Sequence, residues 1–198
     1  KEGKQASLGA DVSINSFHHL QRLLFWHGAN CYKHSARLAQ FVMHRGVIMT
    51  VTQALYSLMF NVVPAPLYND WLMMGFATFF TSFPVFSLIF DWFIDEKTIL
   101  AFPELYVKCQ KGRFFSPKTF IQWVCLAIYQ GGSIILLSAT VFGIEGIDER
   151  HLQSISFSAL LFTQLALIAV EVNHFNLISI LAEFSSFAIY LITMFLLP

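Results

Sequence analysis

The sequence predicts an all-α, polytopic membrane helical bundle of about five transmembrane helices, and three observations carry that expectation. Hydrophobic residues make up 56% of the chain and charged residues only 12%, with a mean hydropathy of +0.61, a balance typical of membrane-embedded chains. Apolar runs of the about 20 residues needed to cross a hydrocarbon core of about 30 Å recur along the chain. Lys and Arg collect in a few of the segments between those runs. The net charge of zero argues against a nucleic-acid surface, and no Gly-rich phosphate loop or metal-ligand cluster is present. Cys31, Cys109 and Cys125 are odd in number and scattered, so they read as reduced thiols rather than a disulfide framework. The chain opens without Met and without a basic, apolar and small-residue leader, so it is expected to be part of a longer protein.

The elements follow in order. Ser16 is placed to cap a short helix whose apolar residues Phe17, Leu20, Leu23 and Leu24 keep the helical period, and Gly28 is placed to end it. No Pro interrupts the pattern from Asn30 to Val63, which predicts one helix roughly 50 Å long at about 1.5 Å per residue. About 20 Å of it would project from the membrane as a stalk, or lie beside the headgroups.

The five spans are expected at 38–63, 71–94, 119–143, 152–172 and 176–197. Pro64 and Pro66 mark the turn between the first two, which would pack as an antiparallel pair. Residues 1–40 and 95–118 each carry five Lys or Arg, residues 144–151 carry one, and 64–70 and 173–175 carry none. The positive-inside rule therefore places the N-terminal segment and the 95–118 loop in the cytosol, with the C-terminus on the outer or luminal side.

Several polar residues stand out against the apolar background. Arg45 lies about two turns inside the first span, where a charge is costly, and a guanidinium suits a lipid phosphate; snorkelling to the interface is the competing reading. Pro84 frees the carbonyl of Phe80, and Thr78, Thr81, Ser82 and Ser87 surround it with hydroxyls. Such a broken helix binds polar groups at mid-membrane or is simply a kink. Gln53 and Asn61 either extend this polar track or tie helices together. Cation transport needs convergent carboxylates, whereas the first two spans hold no Asp or Glu before Asp91. Glu171 with His174, and Glu183 roughly 10 Å inside the last span, read as structural pairing between late helices, with a proton role as the outside alternative. Gly131, Gly132 and Ser133 suggest close helix packing. Trp71, Trp92 and Trp123 read as interfacial anchors. The loop residues Glu104, Tyr106, Lys108, Lys111 and Arg113 serve for docking or are merely solvated.

The chain resembles the type IV P-type ATPases, the phospholipid flippases, from the exit of the phosphorylation domain onward. The similarity is carried by Lys1-Glu2-Gly3-Lys4-Gln5-Ala6, Ala10-Asp11-Val12-Ser13-Ile14, Phe17, Leu20, Leu23-Leu24, His27-Gly28 and Tyr32-Lys33. It continues through Thr81-Ser82-Phe83-Pro84-Val85 with Asp91, Phe102-Pro103-Glu104-Leu105-Tyr106 and Tyr129-Gln130-Gly131-Gly132. His44-Arg45-Gly46 in place of the common Tyr-Lys-Asn, Ala77 in place of Asn and Val85 in place of a second Pro resemble the Neo-type branch.

That resemblance implies a domain division, with 1–29 as a short cytosolic remnant of the phosphorylation domain and 30–198 as the C-terminal transmembrane domain. The five spans would be the fifth to ninth of ten. It implies transport of aminophospholipid, phosphatidylserine or phosphatidylethanolamine, from the outer or luminal to the cytosolic leaflet. Arg45, Gln53, Thr78, Thr81, Ser82 and Pro84 would line the lipid path, and Arg45 occupies the position of the family's intramembrane Lys. ATP and Mg2+ would be bound outside these residues, because the family's D-K-T-G-T, T-G-E and G-D-G-x-N-D motifs do not occur here. Asp95-Glu96-Lys97-Thr98 is no substitute, since Lys does not directly follow the Asp. The Neo-type features imply Golgi or endosomal membranes and no required accessory glycoprotein subunit. The alternative from another class is a non-enzymatic multispan membrane fragment or scaffold.

Overall fold

The computed structural model describes residues 8–60, 66–91, 95–142, 149–172 and 176–196, and among them every regular element is a helix. The expected features at Lys1 to Ala6, Asn61, Pro64, Trp92 and His174 lie outside the described residues. The chain divides into two compact units, Lys1–Lys33 with Phe93–Phe114, and His34–Trp92 with Phe115–Pro198.

The first unit holds α1 (His19–Arg22), a π-turn over Leu23–Gly28 and the opening residues of α2 (Ala29–Met59). Two expectations are corrected here. The Ser16 hydroxyl bonds the His18 ring at 3.0 Å instead of capping a helix, so the first turn is closed by backbone bonds alone. Gly28 does not stop the helix: the turn after it keeps right-handed helical geometry and Gly28 does not take up positive φ. The π-turn absorbs the misfit, and the helical run continues into α2.

The same unit contains α5 (Glu96–Ala101), a 3-10 turn over Pro103–Leu105 and α6 (Tyr106–Gln110). Arg22 pairs with Glu96 at 2.8 Å, Phe25 meets Tyr106 edge-on at 5.2 Å, and Tyr32 meets Phe114 at 6.2 Å. Glu96, from the Asp-Glu-Lys-Thr stretch, is thus a structural partner. Gly112 at φ 62° ends α6, with Arg113 N bonded to Lys108 O and Gly112 N to Cys109 O. This double bond pattern closes the helix in the way a left-handed glycine permits.

The second unit contains the rest of α2, α3 (Asp70–Gly75), a π-segment over Phe76–Phe80, α4 (Ser82–Phe90), α7 (Pro117–Phe142), α8 (Glu149–Glu171) and α9 (Leu177–Leu196). Pro117 occupies the first position of α7, and Ser116 and Thr119 exchange side-chain bonds with each other's backbone N–H at 3.3 and 3.0 Å, a reciprocal cap. The hydrocarbon-like face points outward: Val141, Val170, Leu177 and Phe195 are largely exposed, while Thr52, Ser156, Gln164 and Ser186 are fully buried. That inversion suits a lipid-facing surface.

Among the described residues four helical runs are long and apolar enough to span a membrane: Asp70–Phe90, Pro117–Val141, Arg150–Glu171 and Leu177–Phe195. They match the second to fifth expected spans and support a multi-pass integral membrane protein. The first expected span falls on α2, which at 31 residues has the length but is not among these four. His44, Arg45, Thr50, Thr52 and Gln53 dilute its apolarity, and each finds a bond inside the unit.

The core gathers around Phe157, whose ring meets Tyr68, Phe76, Phe80 and Tyr190 at 5.5 to 6.1 Å. Phe76 and Phe80 bracket the π-segment, so this cluster clamps both ends of the irregular stretch. Tyr190 also shares a short hydroxyl contact with Ser158, tying α9 to α8. Gly131 lets α7 approach α2: a Cβ there would meet Val51 Cγ1 at 3.1 Å and the Ile48 carbonyl oxygen at 3.2 Å, as the small-residue run suggests.

Candidate functional site

The centre of the second unit is the break between Gly75 and Ser82, and Pro84 explains it. An interior Pro lacks the N–H and clashes with the carbonyl four residues back. Here α4 begins afresh at Ser82, which makes Pro84 its third residue, where no intrahelical donor is required. The five-residue π-segment Phe76–Phe80 and a turn at Thr81, with φ −112° and ψ −11°, join the two halves.

Arg45 reaches this break from α2. Its Nη1 donates to Thr81 Oγ1 at 2.7 Å and to the Ala77 carbonyl at 3.2 Å. Thr81 Oγ1 passes its own proton to the Phe76 carbonyl at 2.6 Å, and Ser82 Oγ donates to Ala77 O at 3.4 Å. The half-buried guanidinium therefore tethers α2 to the irregular backbone of its neighbour. Among the described residues only Nη1 of Arg45 is engaged, and neither the Arg22–Glu96 nor the Arg37–Glu171 pair includes it. The charge is held by neutral dipoles and keeps its Nε–Nη2 edge for another acceptor.

The expected path residues thus separate. Arg45, Thr81 and Ser82 come together, and buried Pro84 supplies the break. Thr78 returns its hydroxyl to Met74 O at 2.7 Å on an exposed face. Gln53 lies elsewhere: its Oε1 accepts from Leu67 N at 2.9 Å and holds the chain entering α3. Ser87 is fully buried and bonds the Pro84 carbonyl.

Other side chains of α2 hold the ends of its neighbours. His34 Nδ1 meets the Leu88 carbonyl at 2.9 Å near the end of α4, and Arg37 Nη1 donates to the Glu171 carbonyl at 2.6 Å at the end of α8. Arg37 Nε also faces the Glu171 carboxylate at 3.5 Å, and buried Asp91 adds to the counter-charge. Glu171 is thereby paired to α2, and its expected companion His174 lies outside the described residues. The Glu183 Oε1 is buried without a hydrogen-bond partner among the described residues, so the late-helix pairing expected for Glu183 is not seen there. Trp123, expected as an interfacial anchor, turns its ring edge-on to His44 at 5.7 Å, whereas Trp71 is 68% exposed.

A multi-pass helical bundle with a Pro-broken span and a half-buried cation tethered to the break defines a class of polytopic membrane protein. Residues 7–198 match the family described as phospholipid-translocating P-type ATPase C-terminal, and the chain belongs to that family. It is 46% identical over 190 residues to human "Probable phospholipid-transporting ATPase IIB", covering 96% of this chain and 16% of that protein. It is 44% identical to "Phospholipid-transporting ATPase NEO1" of Saccharomyces cerevisiae over 193 residues, 98% of this chain and 17% of that protein. The Caenorhabditis elegans "Probable phospholipid-transporting ATPase tat-5" is 44% identical over 195 residues, with 98% and 18% coverage. The chain therefore spans less than a fifth of the length of these curated relatives, and the similarity is to the Neo-like branch.

Proposed function

We propose that this chain is the membrane region of an ATP-driven phospholipid flippase that moves aminophospholipid, phosphatidylserine or phosphatidylethanolamine, to the cytosolic leaflet. In this reading residues 1–29 end the phosphorylation domain and 30–198 form the C-terminal transmembrane domain. Its compartment would be a Golgi or endosomal membrane, without a required accessory subunit. The phospholipid-transporting ATPases to which the chain is similar support the activity, and the Neo-like similarity supports the branch.

The observation that carries the reading is the Arg45 guanidinium, held by Thr81 and Ala77 through one nitrogen, with no carboxylate paired to it among the described residues. A half-buried charge is satisfied better by a counter-ion than by neutral dipoles alone, and an anionic phosphate offered to its remaining edge is bound by two parallel hydrogen bonds. Thr81, Ser82 and Pro84 fix where that edge stands. Thr78 flanks the break, and Gln53 shapes the turn into the broken span.

In this reading ATP and Mg2+ are bound outside this chain, whose sequence carries none of the family's phosphorylation and nucleotide motifs, and no step here runs through them. The reading is tested by reconstituting the complete protein in vesicles with a headgroup-intact fluorescent aminophospholipid. ATP-dependent movement of the label to the leaflet facing the nucleotide is expected; equal labelling of both leaflets with and without ATP would sink it.

A further inference from the structure

In the first unit, basic side chains gather around the turn that ends α6. Lys111 N bonds Val107 O at 3.0 Å, so helical spacing runs on to Lys111, and Gly112 at positive φ then folds the chain until Arg113 N bonds back to Lys108 O at 3.3 Å. Lys108, Lys111 and Arg113 are thereby drawn to one helix end. Lys33, from the opening turn of α2, belongs to the same unit. Its Nζ lies over the Phe114 ring at 5.0 Å, and its charge reaches Cys109, the neighbour of Lys108. Two separate stretches of the chain thus bring four cations to one turn.

Lys108, Lys111 and Arg113 are exposed, and among the described residues no carboxylate pairs with them: Glu96 is held by Arg22 and Glu171 by Arg37. Glu104, ahead of α6, is the last acidic residue before Glu145. Like charges fixed together repel one another and favour an anion from outside. Val107, 40% exposed, stands one helical turn before Lys111 on the same face, so the patch pairs charge with an apolar contact.

Position selects the anion. Residues 95–114 lie between the spans Asp70–Phe90 and Pro117–Val141, and the chain from Arg113 to Pro117 reaches at most about 14 Å. The cations therefore stand close to the end of a span, where the potential of an anionic leaflet acts on juxtamembrane Lys and Arg and decays over about 8 Å at physiological salt. Cations flanked by an exposed apolar side chain suit the headgroup boundary of a bilayer.

We propose that Lys33, Lys108, Lys111 and Arg113 form a docking surface for the anionic phospholipid headgroups of the adjoining leaflet. This contact is separate from the Arg45 site. It requires negative charge at the membrane surface, and neither an amine headgroup nor ATP.

Acetylation of lysines in the complete protein tests this, in nanodiscs of phosphatidylcholine alone or mixed with phosphatidylglycerol, which is anionic and carries no amine. Mass spectrometry reads the rate at each lysine, with exposed Lys97 of the same unit as reference. Phosphatidylglycerol is expected to slow Lys108 and Lys111 about threefold or more relative to Lys97. Salt at about 1 M, where the Debye length is about 3 Å, is expected to abolish the difference. Lys111→Gln and Arg113→Gln made together should weaken the protection of Lys108 and leave Lys97 unchanged. Equal rates in the two lipids overturn the proposal, fast ones meaning solvated cations and slow ones a covering protein surface. So does slowing that Lys97 shares in full, that survives high salt, or that persists at Lys108 in the double variant.

Discussion

Arg45 Nη1 donates to Thr81 Oγ1 at 2.7 Å, and the same hydroxyl donates onward to the Phe76 carbonyl at 2.6 Å. One hydroxyl thus satisfies both a guanidinium from α2 and a carbonyl of the π-segment. Thr81→Val keeps the shape and removes both bonds. It is expected to destabilise the fold by about 1–3 kcal/mol, the usual effect of leaving buried polar groups unpaired. Thr81→Ser should retain most of the stability. Thermal unfolding of the complete protein in detergent distinguishes the two, and equal midpoints for Val and wild type would remove the relay from the argument.

The glycines make a graded series. At Gly131 a Cβ would meet the Ile48 carbonyl oxygen at 3.2 Å, a backbone atom that cannot swing away, whereas at Gly132 the nearest atom is Leu55 Cδ1 at 3.7 Å. Gly131→Ala is expected to cost about 1–3 kcal/mol as overpacking, and Gly132→Ala close to nothing. Detergent melting curves of both variants check the order; a larger loss at Gly132 would contradict the observed helix approach.

Arg37 and Glu171 offer a separable pair, because the shorter contact is to the Glu171 backbone. Glu171→Gln removes only the partly exposed 3.5 Å charge contact, and a loss below about 1 kcal/mol is expected. Arg37→Met also removes the 2.6 Å bond to the carbonyl ending α8, and should cost about 1–2 kcal/mol more. Denaturation of the two single variants measures the difference, and identical losses would mean that the backbone bond contributes nothing.

In the first unit, burial pushes the Cys109 thiol up from its ordinary range, with Lys33 acting in the opposite direction. A raised thiol holds less reactive thiolate at neutral pH. Maleimide labelling should therefore reach exposed Cys31 before half-buried Cys109, and the Cys109 rate should keep climbing as pH rises above neutral. Cys109 labelling first at neutral pH would contradict this environment.

The positions of the second to fifth spans were legible because apolar length alone sets them, and Pro84 announced the broken helix because its missing donor must be accommodated somewhere. Arg45, Thr81 and Ser82 were legible as a group because a charge and hydroxyls at membrane depth need partners. Gln53 was ambiguous for the opposite reason: an amide serves a turn as readily as a polar track, and only the fold shows that it holds Leu67 N. Gly28 signalled a helix end that a π-turn carried past. His44 was visible only as a departure from the common pattern, and Gln164 carried no local signal at all; its partner lies 120 residues away.

The most direct test of the central proposal is lipid-stimulated ATP hydrolysis by the complete protein carrying Arg45→Ala or Arg45→Lys. If Arg45 holds a lipid phosphate, Arg45→Ala should lose about tenfold or more of the lipid stimulation, in line with loss of a charge-assisted bidentate contact, while lipid-independent phosphorylation by ATP persists. Arg45→Lys, which keeps the charge but not the fork, should fall between. Unchanged lipid stimulation in Arg45→Ala would contradict the assignment and leave the guanidinium as a structural tether for the broken helix.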